Sequence, residues 1–183
     1  PKLLEEAVKA GAAIHTVITA RGTDVSCPEG VRRVEVPPDL LQSLCDTQTP
    51  QGVVFLSPIP DTAPPEILEG GRWLVLDGLQ DPGNVGTIWR TADGLGADGV
   101  ILVNHCADPL RATMGACFRL PVYETQASAL PALLERSGLA LYASALREDT
   151  AEIRTVPLSR CAVVIGSEGR GVSQALLDWS EKT

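Results

Sequence analysis

Two stretches of this 183-residue chain carry residue types from which a reactive site is built. In the first, DPGNVGTIWR at 81–90, Asn84 and Gly86 precede Arg90, which falls about two helical turns into the pattern and beside an apolar stripe. A lone arginine is ordinarily a surface residue. Asn84 and Gly86 just before it weigh against that ordinary reading, and arginine, which supplies nearly all the positive charge of the chain, suits bidentate phosphate contacts better than lysine does. The second stretch, AVVIGSEGRGVS at 162–173, puts Gly166, Gly169 and Gly171 between an apolar run and a helical pattern. Backbone approaches a ligand closely only where side chains are missing, so this turn suggests a bound small molecule. It lacks the Lys-Ser/Thr ending of a triphosphate-binding loop, and its glycines are not spaced as G-x-G-x-x-G. A glycine-rich turn by itself is also an ordinary connection; the two stretches together make the stronger signal.

The elements that must position them follow from periodicity. LVLDGL at 74–79 is a short apolar run of the buried-strand kind, and DPGN is a turn with Asn84 placed to cap a helix. Val85, Ile88, Trp89, Ala92 and Leu95 recur at helical spacing, Gly94 and Gly96 end the helix, and GVILV at 99–103 is the next strand. This is a strand–helix–strand unit, the building block of a parallel sheet. Beyond it the pattern predicts a short helix near 111–118, a strand at 120–125, a helix at 127–138, strands at 140–146 and 161–168, and a helix at 172–182. In open α/β sheets ligands bind beyond the carboxyl ends of strands, which is where GSEGRG falls.

Residues 1–59 form a smaller α/β/α layer. Leu3, Leu4, Ala7 and Val8 mark one side of an opening helix stopped by Gly11. Strands are expected at 14–20, 31–36 and 52–59, with a helix at 37–47 between the last two. The strand at 52–59 is almost wholly apolar and is therefore expected in the centre of its sheet. His15 reads as an ordinary strand residue, and Arg32 with Arg33 makes a small basic spot. PDTAPPEILEGG at 60–71, with three prolines and two glycines, reads as an interdomain linker.

Composition bounds the rest. Hydrophobic residues at 44% and charged residues at 21% describe an ordinary soluble globular protein. No apolar run reaches membrane-spanning length, and the start has no basic segment followed by an apolar core, so neither a span nor a signal peptide is expected. The first residue is not Met, and the true N-terminus is expected to lie upstream. The five cysteines are scattered and form no C-x-x-C, which points to reduced thiols in a cytoplasm, mostly as small core residues, with no disulfide framework and no metal site. A net charge of −8 argues against non-specific coating of nucleic acid while allowing a local basic site.

The two stretches, DPGNVGTIWRTADGLGADGVIL and later VVIGSEGRGVS, resemble the first two signature motifs of the SpoU, or TrmH-like, family of RNA ribose 2′-O-methyltransferases in the knotted SPOUT superfamily. RATMGACFRLPV also looks like the family's segment after its second strand, so the resemblance covers all of residues 72–183. Residues 1–59 resemble, by layout, the small ribosomal-protein-like RNA substrate-binding domain that many members carry. The resemblance implies a parallel-sheet α/β-knot methyltransferase domain, S-adenosylmethionine as methyl donor, an RNA substrate with ribosomal RNA favoured over transfer RNA, and a homodimer whose active site spans the interface. It makes Asn84, Arg90 and Glu168 the catalytic residues. Gly166, with Ser167, Gly169 and Ser144, would hold the cofactor. Arg111, Arg119 and Arg170 would contact RNA phosphates, and Arg32 and Arg33 would contact RNA from the first domain.

Two departures stand out. The family's third motif, an Ile-Pro-Met turn and a Ser-Leu-Asn helix that floors the adenosine pocket and closes the knot, is expected just after Thr183 and is absent from the sequence as given. Asp108-Pro109 also runs directly into Leu110-Arg111, where relatives carry extra residues. Truncation, an omitted segment and true loss all fit. Three functional readings follow: the methyltransferase, a non-catalytic RNA-binding relative without its cofactor pocket, and an unrelated nucleotide-binding α/β enzyme. The last is disfavoured by the missing dinucleotide and triphosphate fingerprints.

Overall fold

The computed structural model describes residues 2–45, 50–108, 113–146 and 150–181. The chain divides into two compact units, residues 1–60 and 61–183.

In the first unit α1 (Lys2–Lys9) buries Leu4 and Ala7, one turn apart, while Leu3 and Val8 on its flanks stay exposed. Three strands, β1 (Thr16–Ala20), β2 (Arg32–Val36) and β3 (Val53–Leu56), are ordered β2-β1-β3, and α2 (Pro38–Ser43) lies between β2 and β3 in sequence. β1 is parallel to β2 and antiparallel to β3. The expectation that the apolar strand VVFL would be central is therefore corrected. β3 is an edge strand, half-buried with Leu56 exposed, and β1 holds the centre with Val17 fully buried. An apolar run reports how much of a strand's faces is covered; it does not report the strand's lateral position. His15 stands just before β1, where its backbone bonds to Leu56 and Arg32. Arg32 and Arg33 open β2 and are exposed.

The second unit is built on five strands: β4 (Arg72–Asp77), β5 (Gly99–Val103), β6 (Val122–Glu124), β7 (Ala140–Ser144) and β8 (Cys161–Gly166). They form one parallel sheet in the order β6-β5-β4-β8-β7. Alternate residues of β4 face opposite ways, as a pleated strand requires. Trp73 and Val75 join Leu130, Leu133 and Leu134 of α4 (Leu130–Ser137) and Leu176 of α5 (Gln174–Trp179). Leu76 faces the other way, with Val85, Trp89 and Ala92 of α3 (Pro82–Gly94) and with Ala116 and Leu120. The sheet is thus covered on both faces, and its strands read as continuous apolar runs for that reason. Leu95, counted into the helical stripe from the sequence, caps α3 instead and is exposed. Only Cys161 of the five cysteines is buried; the others are half-buried and all are free.

The stretch 60–71 is not a free linker. From Asp61 onward it belongs to the second unit. Leu68 is 2% exposed in the core beside Trp73, and its N–H donates to the Ser137 hydroxyl at 2.9 Å. The Thr62 carbonyl accepts the Glu124 N–H at 2.7 Å, and the Glu69 carbonyl accepts the Trp73 indole N–H at 3.0 Å. Prolines remove donors from a segment but leave its carbonyls and apolar side chains able to pack. Among the described residues no helix is long and apolar enough to cross a membrane.

Candidate active site

β4 and β8 are neighbours, and Asp77 pairs in register with Gly166. The segments leaving their carboxyl ends therefore emerge side by side, and both sequence stretches meet there.

The first segment opens α3. Asp81 is the N-cap: its Oδ1 accepts from the N–H groups of Gly83 at 2.6 Å and Asn84 at 3.1 Å. The expectation that Asn84 caps the helix is corrected, and the reason is local. An Asp cap followed by Pro82 at the first helical position satisfies the free N–H groups and presets the backbone. Asn84, moved inside the first turn, has its side chain free to work across the sheet. Its Nδ2 donates to Oε1 of Glu168 at 2.5 Å.

The second segment folds back on itself. Ser167 and Gly171 exchange backbone bonds, at 3.2 Å and 2.9 Å, and the Arg170 N–H reaches the Ser167 hydroxyl at 3.3 Å. Glu168 sits in this turn, exposed. The three glycines serve different ends. A Cβ on Gly166 would lie 2.0 Å from the Gly171 carbonyl carbon and 2.1 Å from the Val172 nitrogen, so the space beside Gly166 is filled by the chain itself. Gly171 adopts a left-handed φ of +68° that lets the turn close. Only Gly169 and Gly171 border open space. Ser144 ends β7 alongside Ile165, with its hydroxyl donating to the Val164 carbonyl at 2.7 Å.

The electrostatics follow the geometry. The Asn84 amide bond holds the Glu168 carboxyl below the usual glutamate range, aided by the residue's own backbone and opposed by slight desolvation and the Asp81 charge. A group whose folded pKa is depressed contributes above its unfolded value and loses that contribution as pH falls through the folded one. Replacing Asn84 by Ala is therefore expected to return the Glu168 titration, followed by carboxyl carbon NMR, to the ordinary range. An unmoved titration would show that the contact does not form in solution.

Arg90 is half-buried on α3, and its Nη2 donates to the Thr87 hydroxyl at 3.2 Å. Six residues of α-helix turn a side chain by roughly 600° and advance it about 9 Å, which sets Arg90 about 120° around the helix from Asn84. Arg119 is engaged by the Asp93 carboxylate of α3, at 2.6 Å and 2.9 Å. Arg170 is exposed in the Glu168 turn, Arg32 and Arg33 belong to the other unit, and Arg111 lies outside the described residues. The structure thus joins Asn84 with Glu168 and brings Gly166, Ser167 and Ser144 to adjacent strand ends. A recess of about 500 Å³ lies elsewhere, beyond β5 and β6, lined among others by Asn104, His105, Cys106 and Glu124. None of the expected site residues lines it. Among the described residues no group of three or more His, Cys, Asp or Glu is arranged to hold a metal.

Asp77 was missed by sequence reasoning. It is 4% exposed, with one carboxylate oxygen accepting from Asn104 Nδ2 and the other from the Ser173 N–H, both at 2.6 Å. Its signal was available: a carboxylate closing an apolar strand just before a glycine, at the sheet end where sites form.

The chain is 30% identical to the 23S rRNA (guanosine(2553)-2′-O)-methyltransferase RlmP of Bacillus subtilis, across 96% of its length and 73% of that enzyme. It is 35% identical to the human mitochondrial rRNA methyltransferase 3, across 71% of this chain but only 36% of that protein. The AdoMet-bound rRNA methyltransferase of Sinorhizobium meliloti superposes with a TM-score of 0.82 at 26% identity, covering 100% of this chain and 74% of that one. Residues 71–183, the unit that carries both strand-end turns, match the model of the SpoU rRNA methylase family, and the chain belongs to that family.

Proposed function

We propose that this protein transfers a methyl group from S-adenosylmethionine to a ribose 2′-hydroxyl of RNA, ribosomal RNA in preference to transfer RNA, and that it works as a cytoplasmic homodimer. The observation that carries the reading is the hydrogen bond from Asn84 to Glu168, which ties the first motif to the second. The similarity to an rRNA 2′-O-methyltransferase along nearly the whole chain supports the same activity.

The residues present fit the donor. Gly169 and Gly171 expose backbone to open space, and Glu168 places a carboxylate where a cationic sulfonium ligand would be favoured. Backbone at 166–169 and the Ser144 hydroxyl, whose oxygen can still accept, would hold it. When bound, S-adenosylmethionine would supply an electrophilic methyl group to the ribose 2′-oxygen, the hydroxyl proton passing to solvent water.

The chain's own groups orient and stabilise. Asn84 fixes the Glu168 side chain, so the carboxylate is ionised and aimed before RNA arrives. Arg90 acts as a cation. A guanidinium stays charged in proteins, which makes it a poor base. As a fixed positive fork it grips the neighbouring phosphate and stabilises negative charge growing on the 2′-oxygen. Its direction on α3, about a third of a turn from Asn84, suits a site completed by a second protomer. Arg170 and the basic pair Arg32 and Arg33 are assigned to RNA phosphates. Arg119 reaches one by sharing or leaving Asp93.

Calorimetry of the full-length protein with S-adenosylmethionine, paired with ribose-methylation mapping of RNA from cells lacking the gene, tests the proposal. Binding heat and the loss of a methylated ribose from ribosomal RNA are expected. Absence of binding heat would instead favour the non-catalytic RNA-binding relative, and loss from transfer RNA would reassign the substrate.

A further inference from the structure

Asp77 performs none of the roles assigned above, yet among the described residues it is the most completely enclosed carboxylate at this end of the sheet. It ends β4, and in register it stands opposite Gly166, the last residue of β8. One oxygen takes the Ser173 N–H at 2.6 Å, and the other takes the Asn104 side-chain amide at 2.6 Å. Ser173 is the residue before α5, where its carbonyl accepts from the Leu176 and Leu177 N–H groups, and its own N–H has Asp77 as partner. Its hydroxyl makes no capping bond. That hydroxyl is buried with no hydrogen-bond partner among the described residues, so it is the backbone N–H that ties Ser173 to the end of β4. Asn104 follows β5 with φ +55°, a left-handed conformation that asparagine tolerates better than most residues.

The turn that carries Glu168 is closed at its base by the two bonds between Ser167 and Gly171. A small loop closed in this way moves as a body about its two ends. Its leading end continues β8 and is held in the sheet. Its trailing end is held by the buried Val172 side chain, by α5, whose Leu176 and Leu177 N–H groups bond to the Ser173 carbonyl, and by Asp77 at the Ser173 N–H. The direction in which Glu168 points towards Asn84 therefore depends in part on a bond five residues away from it. We infer that Asp77 is a positioning residue: by binding the Ser173 N–H it fixes the rotation of the 167–171 turn and so sets the Asn84–Glu168 contact, while Asn104 holds the other oxygen and keeps the carboxylate from turning away. The inference rests on the methyl-transfer reading only for its kinetic arm; the structural arm needs neither cofactor nor RNA.

The experiment compares Asp77→Ala and Asp77→Asn with the parent protein, each first shown folded by its melting curve. Two readouts use the free protein: hydrogen exchange at the Ser173 amide and the Glu168 titration by NMR. In Asp77→Ala the Ser173 amide is expected to exchange at least about 10-fold faster, and the Glu168 titration to rise to the ordinary glutamate range. Turnover is expected to fall about 10- to 100-fold, in kcat with KM for RNA little changed, because misplacement of a site group lowers the rate without removing a binding contact. Asp77→Asn keeps one oxygen to accept from Ser173, so its slow exchange and low Glu168 titration are expected to survive together. If Asp77→Ala does not fold, Asp77→Asn carries the test, since protection of Ser173 and the Glu168 value must then move together or stay together. A Ser173 amide that exchanges faster while Glu168 titrates as in the parent overturns the inference. A parent protein that never methylates RNA would overturn the proposed function and leave these two readouts standing.

Discussion

Replacing Arg90 by Ala is expected to lower kcat for RNA methylation by a factor of ~10²–10³ while leaving the melting temperature almost unchanged. Both halves follow from where the guanidinium sits. It is half-buried on α3, and the Thr87 hydroxyl it reaches lies one turn back on the same helix. Side-chain pairs of this spacing stabilise a helix by only about 0.2–0.5 kcal/mol, and Ala is itself the best helix former. Loss of this pair by itself therefore costs the fold little. The chemistry loses a fixed positive group beside developing alkoxide charge, and deleting one such donor costs about 2.7–4 kcal/mol of transition-state stabilisation in other enzymes. Arg90→Lys separates the two roles open to this residue. A lysine has a pKa near 10.4 and gives up a proton far more readily than a guanidinium, so a base at this position would keep its activity and gain with rising pH. A phosphate fork would not, because a lysine ammonium cannot make two parallel contacts. Single-turnover rates across the alkaline range distinguish them, and low activity without a rise is expected. Full turnover by Arg90→Ala would remove the residue from the mechanism.

The strand–helix–strand unit was legible because each boundary has a local cause: an apolar run, a Pro-Gly turn, a stripe at 3.6 spacing and closing glycines. What was not legible depends on partners remote in sequence. Asp81 and Asn84 are both good caps, and which of them caps is decided by Pro82, which fits the first helical position only if Asp81 precedes it. Periodicity says that Val53–Leu56 is apolar, but its edge position follows from pairing with β1 alone, a matter of connectivity. The prolines of 60–71 obscured Leu68, whose burial is conferred by Trp73 and α4. Arg119 looked available for phosphate because Asp93, 26 residues earlier, carries no sign of the pairing. The expected catalytic residues divide in the same way. The first- and second-motif side chains Asn84 and Glu168 meet because β4 and β8 are adjacent, an order that no local pattern encodes.

The glycines of the 166–171 turn give the other large effect, since the sequence treats them alike and the structure does not. Gly166→Ala is expected to destabilise the protein by about 3 kcal/mol, lowering the melting temperature by on the order of 10 °C. The added methyl would lie 2.0, 2.1 and 2.3 Å from the Gly171 carbon, the Val172 nitrogen and the Gly171 oxygen, all main-chain atoms that no rotamer change can clear. Relief requires opening the turn, which would break the Ser167–Gly171 bonds and carry Ser173 away from Asp77. Gly169→Ala meets nothing within 4 Å and has no left-handed φ, so its melting temperature is expected to hold or rise slightly as the unfolded chain loses freedom. Its methyl would instead enter the open space where backbone is offered to a ligand, and affinity for S-adenosylmethionine is expected to fall about tenfold, or 1.4 kcal/mol. Thermal melts and calorimetry on the two variants should therefore give opposite patterns, stability lost in one and affinity in the other. A Gly166→Ala protein that melts with the parent would mean that the turn does not fold back onto its own strand, and the Asn84–Glu168 contact would lose its structural basis.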